Sequence, residues 1–257
     1  MKKKLIINKF LKDYCNYDGL RSVTFTFDID WAPEFMIEDL LNLTSSLNVT
    51  LFNTHSSKIL KNISNENITI GVHPNTQNKS SHGKNLIEIK NSVKKFGNLK
   101  YCRFHVLGHS YPDLKYFSKN GTRVDSSILL VNQSHLKPSY HPDIDLTRLP
   151  YIWEDGMTLN FGGKIQDSFK INLPGMKILN FHPLDVYLNT SSIKQRNNFK
   201  NKYKSVLDAE KKDTIKYINK KNYGIRNFLQ DLISYSKRKR VHFASIEEVD
   251  YEFRKKK

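Results

Sequence analysis

An α/β architecture with parallel strands is predicted, and three observations carry it. Short apolar runs recur along the 257 residues. Segments with helical spacing lie between them, and the runs end repeatedly in ionisable residues, as expected where strand ends converge on one mouth. Six runs read as strands, at 23–27, 49–52, 68–72, 101–104, 149–153 and 177–181. Such alternation requires crossover helices, which leaves an open α/β sheet or a (β/α) barrel; about six units favour the barrel.

Between the first two strands, 33–41 opens with Pro33 at the first helical position. It carries acids early and sets Phe35, Ile37, Leu40 and Leu41 on an apolar stripe, so it reads as a helix. Leu86, Ile89, Val93 and Phe96 recur at three- and four-residue intervals and place a second helix over 85–96. Beyond His182, helices are expected at 193–212 and 225–237. An extended stretch over 241–246 then closes the sheet or barrel. No Gly/Ser-rich linker and no internal repeat divides the chain, so one domain over 1–257 is expected.

Composition narrows the class. Hydrophobic residues at 38% and aromatic residues at 12% exclude wholesale disorder. The net charge of +17 is uneven, with 19 Lys and Arg against 8 Asp and Glu from residue 191 onward. A solvated lysine face accounts for much of it. The clusters at 237–240 and 254–257 would also suit an anionic membrane surface. No helix-turn-helix, zinc-finger or single-strand-binding signature accompanies them, so no specific nucleic acid is expected. Cys15 and Cys102 are too few for a disulfide framework. The basic opening lacks a signal-peptide run and no segment is long enough to span a membrane, so a cytoplasmic protein is expected.

The strand ends carry the chemistry. They read Asp28-Ile29-Asp30, Thr54-His55, His73-Pro74-Asn75, Arg103-Phe104-His105, Glu154-Asp155 and His182-Pro183. Carboxylates and imidazoles converging in one mouth offer the oxygen and nitrogen donors that suit zinc or another first-row divalent ion. Asp28 and Asp30 are the sharpest pair. Strand alternation would put both on one face, and two such close charges call for a cation, one binding the metal and the other acting as base. Trp31, Tyr151 and Trp153 near the mouth would stack on a bound ring or fill the rim. His105, His109, His135 and His141 take no assignment from the sequence.

These strings occur in an order that resembles the polysaccharide deacetylases of the NodB-homology type. Thr26-Phe27-Asp28-Ile29-Asp30, Gly71-Val72-His73, the Arg103 strand, Trp153-Glu154-Asp155 and Asn180-Phe181-His182-Pro183 carry the likeness. The longer strings from Phe25 to Glu34, from Ile70 to Asn75 and from Phe181 to Asn189, with Thr54-His55, look like the WbmS-like branch associated with surface-polysaccharide biosynthesis. The likeness covers about 20–190 and leaves 191–257 as a basic helical segment.

The resemblance implies a distorted (β/α) barrel of about seven parallel strands and a metal-dependent hydrolase. The reaction would remove an N- or O-acetyl group from a sugar, sugar nucleotide or glycan. One divalent ion is implied, zinc first, with cobalt, nickel or manganese as the other candidates. Carried over by position, Asp28 is the catalytic base, Arg103 orients it, His182 is the general acid and Asp155 holds His182. Asp30 and His73 are metal ligands. The family's second histidine, four residues after the first, is here Gln77, so His82 is the nearest candidate for the third ligand, with His55 and Asn75 as others. His55, Asn75, Trp31 and Trp153 are candidates for substrate contact. A non-catalytic glycan- or sugar-nucleotide-binding relative is the alternative that Gln77 suggests.

Overall fold

The computed structural model describes residues 22–255. The basic opening, Cys15 and the last two lysines lie outside the described residues. β1 (Ser22–Asp28) leads through α1 (Glu34–Thr44) to β2 (Val49–Asn53), the short α2 (Lys58–Lys61) and β3 (Ile68–Val72). Then come α3 (Leu86–Val93), β4 (Asn98–Cys102), α4 (Tyr111–Lys119) and four short strands, β5 (Val124–Asp125), β6 (Ser139–His141), β7 (Leu146–Arg148) and β8 (Trp153–Glu154). The chain continues as α5 (Asp155–Phe161), β9 (Ile178–Phe181), α6 (Pro183–Tyr187), α7 (Ile193–Lys200), α8 (Lys211–Thr214), α9 (Ile225–Arg238), β10 (His242–Phe243) and α10 (Ile246–Arg254).

The strands pair in the order β6-β7-β5-β4-β3-β2-β1-β9-β8, parallel throughout except for β6 with β7. The run expected as a strand over 149–153 is instead the splice between the two ends of this sheet. Leu149 and Tyr151 donate to Asp125 and Ile128 on the β5 side, at 2.8 Å each, whereas Ile152 donates to Ile178 of β9 at 2.9 Å. Pro150, which has no N–H, lies between the two residues bonded on the β5 side, and the partner changes between Tyr151 and Ile152. The sheet therefore curls into a distorted, mostly parallel (β/α) barrel, as predicted.

Period-two alternation sorts the strands into an outer apolar and an inner polar face. Phe25 and Phe27 of β1 pack on Phe181, whose ring also meets Trp153 and Phe228 of α9. Thr26, Asp28 and Asn180 point the other way, into a barrel interior shared with Phe52, Arg103 and Tyr151. That polar interior is the floor of the site.

The helices follow the predicted stripes with shifted ends. Pro33 is the N-cap of α1 and Asn85 caps α3 through its side chain, so both helices start one residue later than the spacing alone suggests. The helix expected over 193–212 breaks after Lys200. Ser205 caps a separate short turn at 206–208, and α8 follows; Asn201, Asn197 and Ser205 are residues that compete for backbone hydrogen bonds. In the last segment only His242 and Phe243 form a strand, paired with Ser22 and Val23 at the start of β1, and Ser245 then caps α10. Arg254 of the terminal basic cluster pairs with Asp145 and Asp250. Cys102 is buried, and among the described residues no helix is long and apolar enough to cross a membrane.

Candidate active site

The carboxyl ends of β1, β3, β4, β8 and β9 meet around a cavity of about 540 Å³ lined by Asp28, Asp30, His73, His105, Glu154 and His182, among others. Two layers build it. The lower layer is centred on Arg103, which is fully buried. Its Nε donates to Ser126 O and its Nη2 to Ser126 Oγ, at 2.9 Å each. Nη1 reaches Thr26 Oγ1, Asp28 Oδ1 and Asn180 Oδ1 at 2.9, 3.0 and 2.5 Å. Phe52 and Tyr151 hold the guanidinium by cation–π contact, each ring centroid 4.4 Å away. Asn180 Nδ2 donates to the second Asp28 oxygen at 2.8 Å, so both carboxylate oxygens are fixed.

The upper layer is a cluster of donors. Asp30 does not arrive there by strand alternation: β1 ends at Asp28, and Asp30 and Trp31 both adopt left-handed backbone angles, φ 44° and 55°. Such a turn is strained for residues with a side chain, and strain of this kind gathers where geometry is used. The turn is pinned by the Trp31 N–H on Thr54 Oγ1. Hydrogen bonding between the β3 and β4 segments continues past both strands, Arg103 N–H to Val72 O and His105 N–H to Pro74 O, which lays His73 beside His105. The left-handed residues Val106 and Leu107 then turn the chain away.

Asp30 Oδ1, His73 Nε2 and His105 Nδ1 form a triangle with edges of 3.2, 2.9 and 3.3 Å. A tetrahedral ion with bonds of about 2.0–2.1 Å spaces its ligand atoms about 3.3 Å apart, so the three donors fit one first-row divalent ion. Burial pushes the Asp30 carboxyl up, but hydrogen bonds from His105 and His73 and the charge of His182 outweigh it and hold the group well below the usual carboxylate range.

His182 faces this cluster from β9, with Nε2 3.5 Å from Asp30 Oδ2. Its Nδ1 lies 2.6 Å from Asp155 Oδ1, and Asp155 Oδ2 accepts the His182 N–H at 2.7 Å. Burial disfavours the imidazolium, yet the buried Asp155 carboxylate prevails and pushes the His182 pKa up to about 10. Tyr151 Oη donates to Glu154 at 2.6 Å, and burial raises the Glu154 carboxyl.

Asp28, Asp30, His73, Arg103, Asp155 and His182 are thus brought together, and several other candidates are not. His82 accepts from Asn75 N–H on Nδ1 and donates from Nε2 to Thr54 O, at 3.0 and 2.7 Å, so neither nitrogen has a lone pair to give and it is no third ligand. Burial holds it neutral, below the usual histidine range. His55 lies against Thr54 Oγ1 and lines a different cavity with Ser57 and Lys61. Asn75 builds the loop, accepting from Gln77 N–H and from Ser80 Oγ. Trp153 is a core residue, 1% exposed, with Nε1 bonded to Ser168 Oγ. None of these three faces the mouth. Trp31 stands edge-on to the His105 ring at 5.0 Å.

Two residues that the sequence left without a role complete the site, His105 and Asn180. Their signal was spacing. Each lies two residues from a singled-out side chain, Arg103 and His182, and so on the same strand face.

Comparison with known proteins bears on the fold and the family. In a crystal structure from Bordetella bronchiseptica, of a candidate polysaccharide deacetylase involved in O-antigen biosynthesis, 91% of the chain aligns with 84% of this one at 29% identity and a TM-score of 0.74. A candidate polysaccharide deacetylase from Mycobacterium smegmatis aligns more loosely, with 14% identity over 65% of this chain and 78% of its own and a TM-score of 0.40. No curated protein sequence matches. The model of one sequence family matches residues 25–200, and by that match the chain belongs to the WbmS-like polysaccharide deacetylases.

Proposed function

We propose that this protein is a metal-dependent carbohydrate deacetylase that removes an N- or O-acetyl group from a sugar during surface-polysaccharide biosynthesis. The observation that carries the reading is the triangle of Asp30, His73 and His105 set between a fixed carboxylate, Asp28, and a carboxylate-held imidazole, His182. Family membership supports the acetylated carbohydrate, and the described role of the Bordetella relative in O-antigen biosynthesis supports the process.

Asp30, His73 and His105 would hold the ion, and two imidazoles with one carboxylate are a donor set that suits zinc. When bound there, a divalent ion supplies a Lewis acid that polarises the acyl carbonyl and acidifies a water. Asp28 takes the proton of the attacking water. Arg103 and Asn180 hold its carboxylate at fixed aim while each oxygen keeps a lone pair. His182, tied through Nδ1 to Asp155, donates from Nε2 to the departing amine or hydroxyl. His105 supplies the donor that Gln77 does not, which removes the main argument for a non-catalytic relative. We further propose that residues beyond 190 belong to the same domain: α7 contributes Arg196 and Lys200 to the cavity, and Phe228 of α9 packs on Trp153.

The test is acetate release from a panel of N- and O-acetylated sugars, run beside elemental analysis of the purified protein. About one divalent ion per chain, with acetate release that Asp28→Asn abolishes, is expected. Release unchanged in Asp28→Asn, or none from a protein carrying its ion, would overturn the reading.

A further inference from the structure

The charged groups of the cavity are almost all matched in pairs. Asp28 has Arg103 at 3.0 Å, Asp155 has His182 at 2.6 Å and Asp185 has Arg196 at 3.1 Å. Asp30 faces the imidazoles. Lys200 lines the same cavity from α7, one helical turn beyond Arg196, and among the described residues no carboxylate lies within ion-pairing distance of it. Arg196 is itself only partly used, since its Nε is buried with no hydrogen-bond partner. The floor between these cations and the catalytic groups is kept open by Gly156: a Cβ there would stand 2.9 Å from Glu154 Oε1 and 3.2 Å from Arg196 Nη1.

We propose that Lys200, assisted by Arg196, forms a subsite for an anionic substituent, a carboxylate or a phosphate, on the sugar that is deacetylated. The inference rests on the deacetylase reading above and adds the class of substrate. Asp185 answers Arg196, but beside a neutral sugar Lys200 would line the cavity with no anion of its own. Burial and the Arg196 charge already push the Lys200 ammonium below its ordinary value. An anion bridging them relieves that repulsion, and Arg196 offers planar donors of the kind that carboxylate and phosphate accept. Lys200 adds a point charge at the rim, where it meets the sugar before the acyl group reaches His182.

Calorimetric titration of the metal-loaded protein tests the proposal with three probes: N-acetylglucosamine, the corresponding uronic acid, and N-acetylglucosamine 1-phosphate. At least one anionic sugar should bind about tenfold more tightly than the neutral one, the worth of one charge-assisted contact. Lys200→Gln should erase the preference and Lys200→Arg should retain it. Which of the two anionic probes gains separates carboxylate from phosphate. Equal binding of neutral and anionic sugars, a preference that survives Lys200→Gln, or no binding of either anionic sugar would overturn the subsite.

Hydrolysis of the small neutral ester 4-nitrophenyl acetate, by wild type and Asp28→Asn, keeps the two readings apart. Ester hydrolysis that depends on Asp28 without any anion preference rejects the subsite alone. No hydrolysis by a protein carrying its ion rejects the deacetylase reading as well.

Discussion

Asp28 ends a strand and has a guanidinium of its own, whereas Asp30, two residues later, sits on a left-handed turn among histidines. Arg103 and Asn180 occupy both oxygens of Asp28 from a layer that is fully buried and held by aromatic rings. Asp30 meets imidazoles, His73 at 3.2 Å and His105 at 2.9 Å on one oxygen and His182 at 3.5 Å on the other. The Asp30, His73 and His105 donors converge where the proposed divalent ion would sit, whereas Asp28 already has its guanidinium. In the proposed reading two like side chains differ in work because of what stands beside them, a base in one case and a ligand in the other.

The sharpest way to break this contrast is to neutralise each carboxylate in turn. Asp28→Asn keeps an oxygen for Arg103 and should retain the metal while lowering turnover by about 10²–10⁴-fold, the range for a positioned base. Asp30→Asn should instead lose the ion. Elemental analysis beside acetate release checks both, and metal loss in Asp28→Asn together with retention in Asp30→Asn would reverse the assignment. A second test removes the cation that serves Asp28. Arg103→Met leaves a buried carboxylate unpaired and should destabilise the fold by about 3–5 kcal/mol, read from denaturant unfolding. A loss near zero would mean that the Asp28 carboxylate needs no built-in partner.

A third test concerns the ligand set. His105→Ala should weaken metal binding by about 100-fold or more, above the effect typical of outer-shell partners. His82→Ala should leave affinity unchanged, because both His82 nitrogens are committed to backbone groups. Competition with a chelator measures each. The reverse result would restore His82 as a ligand and remove His105.

This third contrast also shows what the sequence made legible. Strand runs and the order of polar strand ends located the barrel and six members of the site, because period-two burial and the convergence of parallel strand ends are local rules. The splice at 149–152 was not legible as such, since its residues are as apolar as any strand and only their change of partners distinguishes them. His82 was misplaced for a related reason. A histidine on a loop is free to coordinate on paper, and only the fold reveals that its nitrogens are bound to Asn75 and Thr54. The left-handed turn at Asp30 and Trp31 lay equally beyond reach, because neither residue type announces positive φ. His105 and Asn180 were within reach had the alternation been followed one step past Arg103 and one step before His182.

Glu34 provides the mildest test, as a third carboxylate served in yet another way. It opens α1 and reaches the start of α2, where Oε1 accepts from Lys58 N–H at 2.7 Å and Oε2 from Ile59 N–H at 3.1 Å and Ser57 Oγ at 2.9 Å. Partial burial raises the group, but these hydrogen bonds prevail and hold its pKa below the ordinary 4.5. A folded-state value below the unfolded one contributes stability that is fully present above about pH 4.5 and is lost as pH falls through the folded value. Glu34→Gln should therefore cost about 1 kcal/mol at pH 7, and the gap between variant and wild type should close in acid, as pH falls through the folded Glu34 value. Urea midpoints at pH 7 and in acid read the difference directly, with the other carboxylates cancelling. A gap that stays constant with pH would assign the cost to shape and not to charge, and Glu34 would then differ from Asp28 and Asp30 in kind as well as in partner.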